Sequence, residues 1–203
     1  MTNERNTIAR HVAGHVYAAM AFESQVFRLS IEEFPEAMFS EARGKSWIDE
    51  WTILEPRETR PPGSLEHTMY MDHLTAVSLC GPAAELQFRG EPCTAERIQQ
   101  FAWDWQKASD ALRHVWPDDE DHSRMLEQHA ERAATFVGHA PTVELIEAFA
   151  SHLLDHGSMR AVESKAIWDR VHAEQEARLW GPPSRPVDDE VHEEWIDLSV
   201  DPE

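Results

Sequence analysis

The first 23 residues place apolar side chains at the spacing of an α-helix. The apolar positions recur every three or four residues, at Ile8, Val12, Val16, Ala19 and Met20. Asn6 or Thr7 offers a side-chain oxygen that can cap the N-terminus, which predicts a helix from Thr7 to about Glu23. Gly14 lies inside this helix at a cost of about 1 kcal/mol relative to alanine. Either its presence is fortuitous, or it allows another segment to pack against the backbone.

The next part of the chain has the composition of short β-strands. QVFRLSIEE (25–33) and WIDEWTILE (47–55) are rich in β-branched and aromatic residues, and the second partly alternates. A loop at 41–45 separates them, and ETRPPGS (58–64) follows as a turn or loop. The pattern predicts two or three strands in a small antiparallel sheet.

Residues 65–179 have a helical pattern interrupted by short breaks. The breaks contain glycine, proline or clustered acidic residues, at GEPCT (90–94), WPDDED (116–121), GHAPT (138–142) and HGS (156–158). Four or five helices are therefore expected. The fold class is α+β and predominantly α-helical, in one domain of residues 1–180.

Residues 181–203 differ in composition from the rest of the chain. They contain four prolines and eight acidic residues, with no lysine or arginine after Arg185. Such a segment buries little apolar surface, so we expect an acidic tail that extends over the surface or is disordered. Trp195 in this tail is a candidate anchor on the domain or on a partner.

The charge and the cysteines narrow the function classes. Lys and Arg number 18 against 38 Asp and Glu, a net charge of -20, which disfavours binding to nucleic acid or to anionic membranes. No apolar run reaches the ~20 residues of a membrane span, and no P-loop motif occurs. Cys80 and Cys93 do not form a CxxC motif, which predicts a reducing, cytoplasmic location.

Two histidines in the first helix are candidate metal ligands. His11 and His15, in HVAGH, are four residues apart, so both rings lie on one helix face and can bind one ion. A zinc site of this kind needs a third protein ligand from elsewhere. The chain has 12 histidines, so the pair by itself fits a polar helix face equally well. His152 and His156 repeat the spacing without a matching third ligand.

Three ordered segments together resemble the FtsH-type zinc peptidase domain and its stand-alone relatives. They are HVAGH (11–15), LCGPAAELQFRG (79–90) and DWQKASDAL (104–112). The family has a helix with HEAGH, a helix with an LAGxxAE-like sequence and a later helix with a DxxxA sequence. The resemblance covers about residues 7–175, including the helical sequence PTVELIEAFASHLL.

The resemblance implies a mostly helical, zincin-like peptidase fold with a small sheet. It implies that zinc is the cofactor and that His11, His15 and Asp104 are its ligands. Asp110 is a competing acid in the same segment, but Asp104 is the one that begins the DxxxA sequence.

The chain departs from the family at Val12. The family has a glutamate there, a general base that takes a proton from the attacking water, and valine cannot accept one. General-base catalysis usually contributes about 10² to 10⁴ in rate, so efficient proteolysis is not expected. Glu23 lies about three turns away, too far to substitute. Glu85 is a weak catalytic candidate for which a structural role is favoured.

Two hypotheses for the function follow. The first is a metallopeptidase-like protein that binds zinc and is impaired or inactive in proteolysis. The second is a non-catalytic module that binds a protein or peptide partner, without metal, through the former substrate groove or the acidic tail; homo-oligomer formation is compatible with both. His73 is expected to have a surface or capping role. Trp103 and Trp105 are expected to pack in the core or against a helix, or alternatively to line a groove.

Overall fold

The computed structural model of the protein describes residues 2–22, 28–31 and 61–181, which are mostly helical. In chain order the elements are α1 (Thr2–Ala21), β1 (Arg28–Ser30), α2 (Leu65–Arg89), α3 (Ala95–Ile98), α4 (Ala102–Arg113), α5 (Asp119–Gly138), α6 (Ala140–His156), β2 (Ser158–Arg160) and α7 (Ala161–Trp180). The predicted strand at 47–55, the loop at 41–45 and the tail beyond residue 181 lie outside the described residues.

The helix boundaries follow local capping chemistry. The Ser64 side chain accepts a hydrogen bond from the His67 backbone N–H at the start of α2, and Gly90 ends that helix at a φ of 67°. Asp118 caps α5 in the same way as Ser64 caps α2. The predicted breaks between the long helices are confirmed. The short helix α3 and the break after it, at 99–101, were not predicted.

A two-stranded antiparallel sheet pairs the segment that follows α1 with the segment that precedes α7. β1 pairs with β2 so that Leu29 lies opposite Met159, and both side chains are buried. A predominantly helical fold with a small antiparallel sheet is therefore confirmed. The helical prediction for residues 159–160 is wrong, because these residues belong to β2, which pairs with β1 and is too short to show an alternating pattern.

Helix α1 lies at the centre of the fold, packed mainly against α2 and α6. Its buried side chains cover most of its circumference, at Ala9, Val12, Ala13, Val16, Ala18 and Ala19. Such a helix belongs to the core. Within the described ranges, no helix combines the length and the apolar character that crossing a membrane requires.

Gly14 brings α1 and α2 unusually close together. A Cβ atom at Gly14 would lie 2.5 Å from the backbone oxygen of Cys80 and 2.7 Å from the Cβ of Ala84. Both distances are shorter than the contacts that Cβ atoms make in proteins. Close packing at this glycine, one of the two sequence interpretations, is confirmed. Because of this contact, the residues next to Gly14 on α1 lie directly against α2.

Candidate metal centre

His11, His15 and Asp104 meet in the interior of the protein. The Nε2 atoms of the two histidines are 3.1 Å apart. Asp104 lies in the first turn of α4 and points its carboxylate at both rings, with Oδ2 3.3 Å from Nε2 of His11 and Oδ1 3.5 Å from Nε2 of His15. The three residues are 5%, 1% and 0% exposed. The structure therefore brings together the three residues that the resemblance implies as metal ligands.

Helix α2 fixes the orientation of His15. Nδ1 of His15 lies 2.7 Å from the backbone oxygen of Val77. Since a carbonyl oxygen can only accept, Nδ1 carries the hydrogen and the neutral ring presents a lone pair at Nε2. The ring lies against Gly81, where a Cβ atom would be 2.2 Å from Nε2 of His15. Val77 and Gly81 thus hold this nitrogen towards His11 and Asp104.

Glu85 fixes the orientation of His11. Its Oε2 atom accepts a hydrogen bond of 2.9 Å from Nδ1 of His11, and the same buried carboxylate forms an ion pair with Arg89. Glu85 therefore contacts the ring nitrogen that faces away from Asp104. A carboxylate that holds the second nitrogen of a histidine ligand sets its tautomer and raises its basicity. This geometry favours the structural role for Glu85.

At neutral pH and without a bound metal, the two imidazoles together carry one positive charge. Burial lowers the pKa of His11, but the negative charges of Asp104 and Glu85 outweigh it and raise the pKa to about 9. At His15 burial prevails over the attraction of Asp104 and lowers the pKa to about 4. The protonated Nε2 of His11 is then positioned to donate to Nε2 of His15.

The positions of the two Nε2 atoms and the Asp104 carboxylate fit a metal ion bound by one atom of each residue. Zinc binds histidine nitrogen at about 2.0–2.1 Å and carboxylate oxygen at about 2.0–2.2 Å, so donors around a tetrahedral ion are about 3.3 Å apart. The nitrogen–nitrogen and nearest nitrogen–oxygen distances here are 3.1, 3.3 and 3.5 Å. Both oxygens of Asp104 are buried without a hydrogen-bond partner among the described residues. A cation between the three side chains would satisfy these oxygens.

Proton release on zinc binding is the first testable consequence. Both histidines must be neutral to coordinate a metal, and only His11 is in the positively charged imidazolium form at pH 7.5, so zinc binding should release about one proton per chain. As the pH rises towards the pKa of His11, the competing proton is lost and zinc affinity should increase about tenfold per pH unit. Calorimetric titration in buffers of different ionisation enthalpy measures both quantities.

The control for this titration is zinc added to protein that is already loaded, which should release no proton. Release of two protons, or a zinc affinity that does not change between pH 6.5 and 8.5, would contradict the assignment of the positive charge to His11.

The other candidates from the sequence lie apart from this centre. Within the part of the chain that the structure describes, His11, His15 and Asp104 form the one group of three or more potential ligands close enough to share an ion. Asp110 is exposed and accepts a hydrogen bond from Gln106. The rings of His152 and His156 lie 4.4 Å apart on α6 without completing such a group.

The remaining aromatic and histidine candidates have packing roles. His73 stacks on the ring of Phe22 with the ring centroids 4.4 Å apart. Trp103 is half-buried with the ammonium group of Lys107 5.0 Å from its ring, and Trp105 packs partly buried against the core. Trp195 lies outside the described residues.

Val12 lies beside the centre in sequence and is fully buried in the hydrophobic core. Its side chain has no atom that can accept a proton. The departure from the peptidase pattern is therefore accommodated by apolar packing.

Sequence reasoning missed two residues of the centre, Val77 and Gly81. Val77 acts through its backbone carbonyl, so its side chain carries no signal. Gly81 was detectable, because Gly81 and Pro82 together interrupt a helical pattern at a cost of about 1 and 3 kcal/mol. Two such residues inside a helix indicate a requirement other than helix stability.

A comparison of the sequence with protein-family models gave no match, and a comparison with curated proteins gave none either. The resemblance to the FtsH-type peptidases therefore rests on the three motifs and their order.

Proposed function

We propose that the protein is a zinc-binding, metallopeptidase-like protein that has little or no proteolytic activity. Zinc would be bound by Nε2 of His11, Nε2 of His15 and the carboxylate of Asp104. The observation that carries the proposal is the convergence of these atoms at tetrahedral donor distances, while the opposite edges of both rings are held by α2.

The donor set favours zinc over the other common metals. Imidazole nitrogens exclude magnesium and calcium as preferred ions, since these take oxygen ligands. Two histidines and one carboxylate are a frequent zinc set, in which the metal supplies Lewis-acid polarisation of a bound carbonyl group. The carboxylate of Glu85 raises the basicity of His11 and so strengthens this ligand.

Among the described residues, neither Val12 nor Glu85 supplies a general base. Position 12 holds an apolar side chain. Glu85, the other nominee, is hydrogen-bonded to His11 and paired with Arg89, so it cannot take up a proton without giving up the orientation of a ligand. Loss of general-base catalysis removes about 10² to 10⁴ in rate.

Metal analysis and a protease assay test the two parts of the proposal. Protein purified without chelator is expected to contain close to one zinc per chain by elemental analysis, about the stoichiometry of a single site. The zinc-loaded protein should hydrolyse casein no faster than the metal-stripped protein. Metal-free protein that gains no stability when zinc is added would contradict the binding site, and zinc-dependent hydrolysis at peptidase rates would contradict the loss of catalysis.

A further inference from the structure

Arg89 reaches the metal centre through Glu85. The two residues are four apart on α2, so their side chains lie on one face of the helix. Helical side chains lean towards the N-terminus, and this direction leads Arg89, the last residue of α2, back to Glu85. Nη2 of Arg89 forms an ion pair with Oε1 of Glu85, while Oε2 accepts the hydrogen bond from His11. His11, Glu85 and Arg89 therefore form a continuous chain of contacts.

The carboxylate of Glu85 needs compensating partners because it is buried. Glu85 is 2% exposed, whereas the side chain of Arg89 is 31% exposed. Burying a carboxylate is unfavourable unless charged or hydrogen-bonding groups replace the lost water. A contact with a guanidinium group is strong and directional, so it restricts the position of Oε1. Because the carboxylate is rigid, holding Oε1 also determines where Oε2 lies relative to His11.

Glu91 and Arg97 continue this chain of contacts beyond Arg89. Nη1 of Arg89 lies 3.8 Å from Oε1 of Glu91, and Oε2 of Glu91 is paired with Arg97. The two terminal nitrogens of Arg89 therefore face two different carboxylates. A planar guanidinium group can contact both carboxylates at once, which suits it better to this position than the single ammonium group of a lysine.

Position 89 also has a simpler interpretation as a helix end. A positive charge in the last turn of a helix interacts favourably with the helix dipole, whatever else it contacts. Arg113, the last residue of α4, is in this situation and pairs with the exposed side chain of Asp119. Arg89 differs because its partner is a buried carboxylate that contacts a candidate metal ligand.

We infer that Arg89 is a positioning residue of the metal centre, which acts through Glu85 to hold the ring of His11 in the orientation that binds zinc. The inference rests on the proposed zinc site and adds to it a residue outside the ligand set. Zinc affinity therefore depends on a partly exposed side chain at the end of α2.

Arg89→Gln is the first test, with zinc affinity measured by competition with a chromophoric chelator. The affinity should fall by about tenfold, the lower end of the effect of removing a partner that orients a ligand. The direction is informative, because the loss of a nearby positive charge by itself favours the binding of a cation. An unchanged or increased affinity would overturn the inference.

Arg89→Lys tests whether pairing with the carboxylate is what matters. Lysine retains a cation that can pair with Glu85, so this variant should bind zinc more tightly than the Gln variant. A Lys variant that binds no better than the Gln variant would contradict the role of the pair.

A double-mutant cycle tests whether the effect passes through Glu85. Glu85→Gln alone should weaken zinc binding by about 10–100-fold. In the Glu85→Gln protein, Arg89→Gln should cause no further loss, since the group through which it acts has been changed. The same loss in both backgrounds would show that Arg89 acts by another route and would overturn the inference.

Arg113→Gln is the matched control, because it also removes a positive charge from the end of a helix. It should leave zinc affinity unchanged, and a loss equal to that of Arg89→Gln would exclude a specific role for Arg89. Failure of the natural protein to bind zinc would contradict the proposed function. Unchanged affinity of the Arg89→Gln variant, in a natural protein that does bind zinc, would overturn only the role of Arg89.

Discussion

Replacing His15 by alanine is expected to abolish zinc retention during purification. The substitution removes one of the two nitrogen donors, whose Nε2 atom lies 3.1 Å from that of His11 and 3.5 Å from Oδ1 of Asp104. The loss of affinity should exceed the 10–100-fold that follows removal of a partner which only orients a ligand. Elemental analysis gives the stoichiometry, and competition with a chromophoric chelator gives the affinity.

His152→Ala is the matched control for this variant. His152 has the same spacing to His156 as His11 has to His15, but its Nε2 atom lies 3.8 Å from Oε2 of Glu163 in α7, and His152 is not part of the centre. This variant should keep the natural zinc content and affinity. Full zinc content in the His15 variant would contradict the assignment of His15 as a ligand.

The three residues of the candidate centre were predictable because the relevant chemistry resides in their side chains. The four-residue spacing of His11 and His15 on a helix places both rings on one face, whereas Asp104 was expected near them only because of the resemblance. Distances between segments that are about 90 residues apart required the fold. The resemblance supplied the expectation that α1 and α4 meet, and the structure supports that part of it.

The groups that orient the two histidine rings were harder to predict because one of them is a backbone carbonyl. The carbonyl of Val77 would be present with any residue at that position, so no sequence pattern identifies it as the partner of His15. The strand β2 was missed for a related reason: three residues between two helices carry too little pattern to compete with the helical signal on both sides. Glu85 was identified, but its role depended on which ring nitrogen of His11 it contacts.

Gly81 is a residue that helix propensities do not favour at its position inside α2. Glycine followed by proline inside a helix is unfavourable for the helix, and the structure shows that the absence of a side chain at this position leaves room for the His15 ring. The centre therefore depends on a residue that contributes no donor atom.

Gly81→Ala is expected to disable the centre without removing a ligand. The added Cβ would lie 2.2 Å from Nε2, 2.4 Å from Cε1 and 2.6 Å from Cδ2 of His15. The ring cannot retreat with α1, because α1 is held against α2 at Gly14, so it must turn and give up its hydrogen bond to Val77. Zinc affinity should fall at least as far as the 10–100-fold typical of a lost orienting partner, measured by chelator competition.

The same substitution gives a readout in stability. Alanine normally stabilises a helix by about 1 kcal/mol relative to glycine, whereas forcing an extra carbon into a packed interior costs about 1–3 kcal/mol. We expect a net decrease in the free energy of unfolding of the metal-free protein, measured in urea. The reason is that the added Cβ atom would lie 2.2 Å from Nε2 of His15, much closer than the normal contact distance.

Gly138→Ala separates this clash from the general effect of the substitution. Gly138 is the last residue of α5, and a Cβ atom there would lie 3.3 Å from the end of the flexible Gln87 side chain, which can move aside. This variant should bind zinc like the natural protein and should be equally stable or slightly more stable. If both glycine variants keep full zinc affinity, the ring of His15 does not need the space at Gly81, and the centre is less constrained than its geometry indicates.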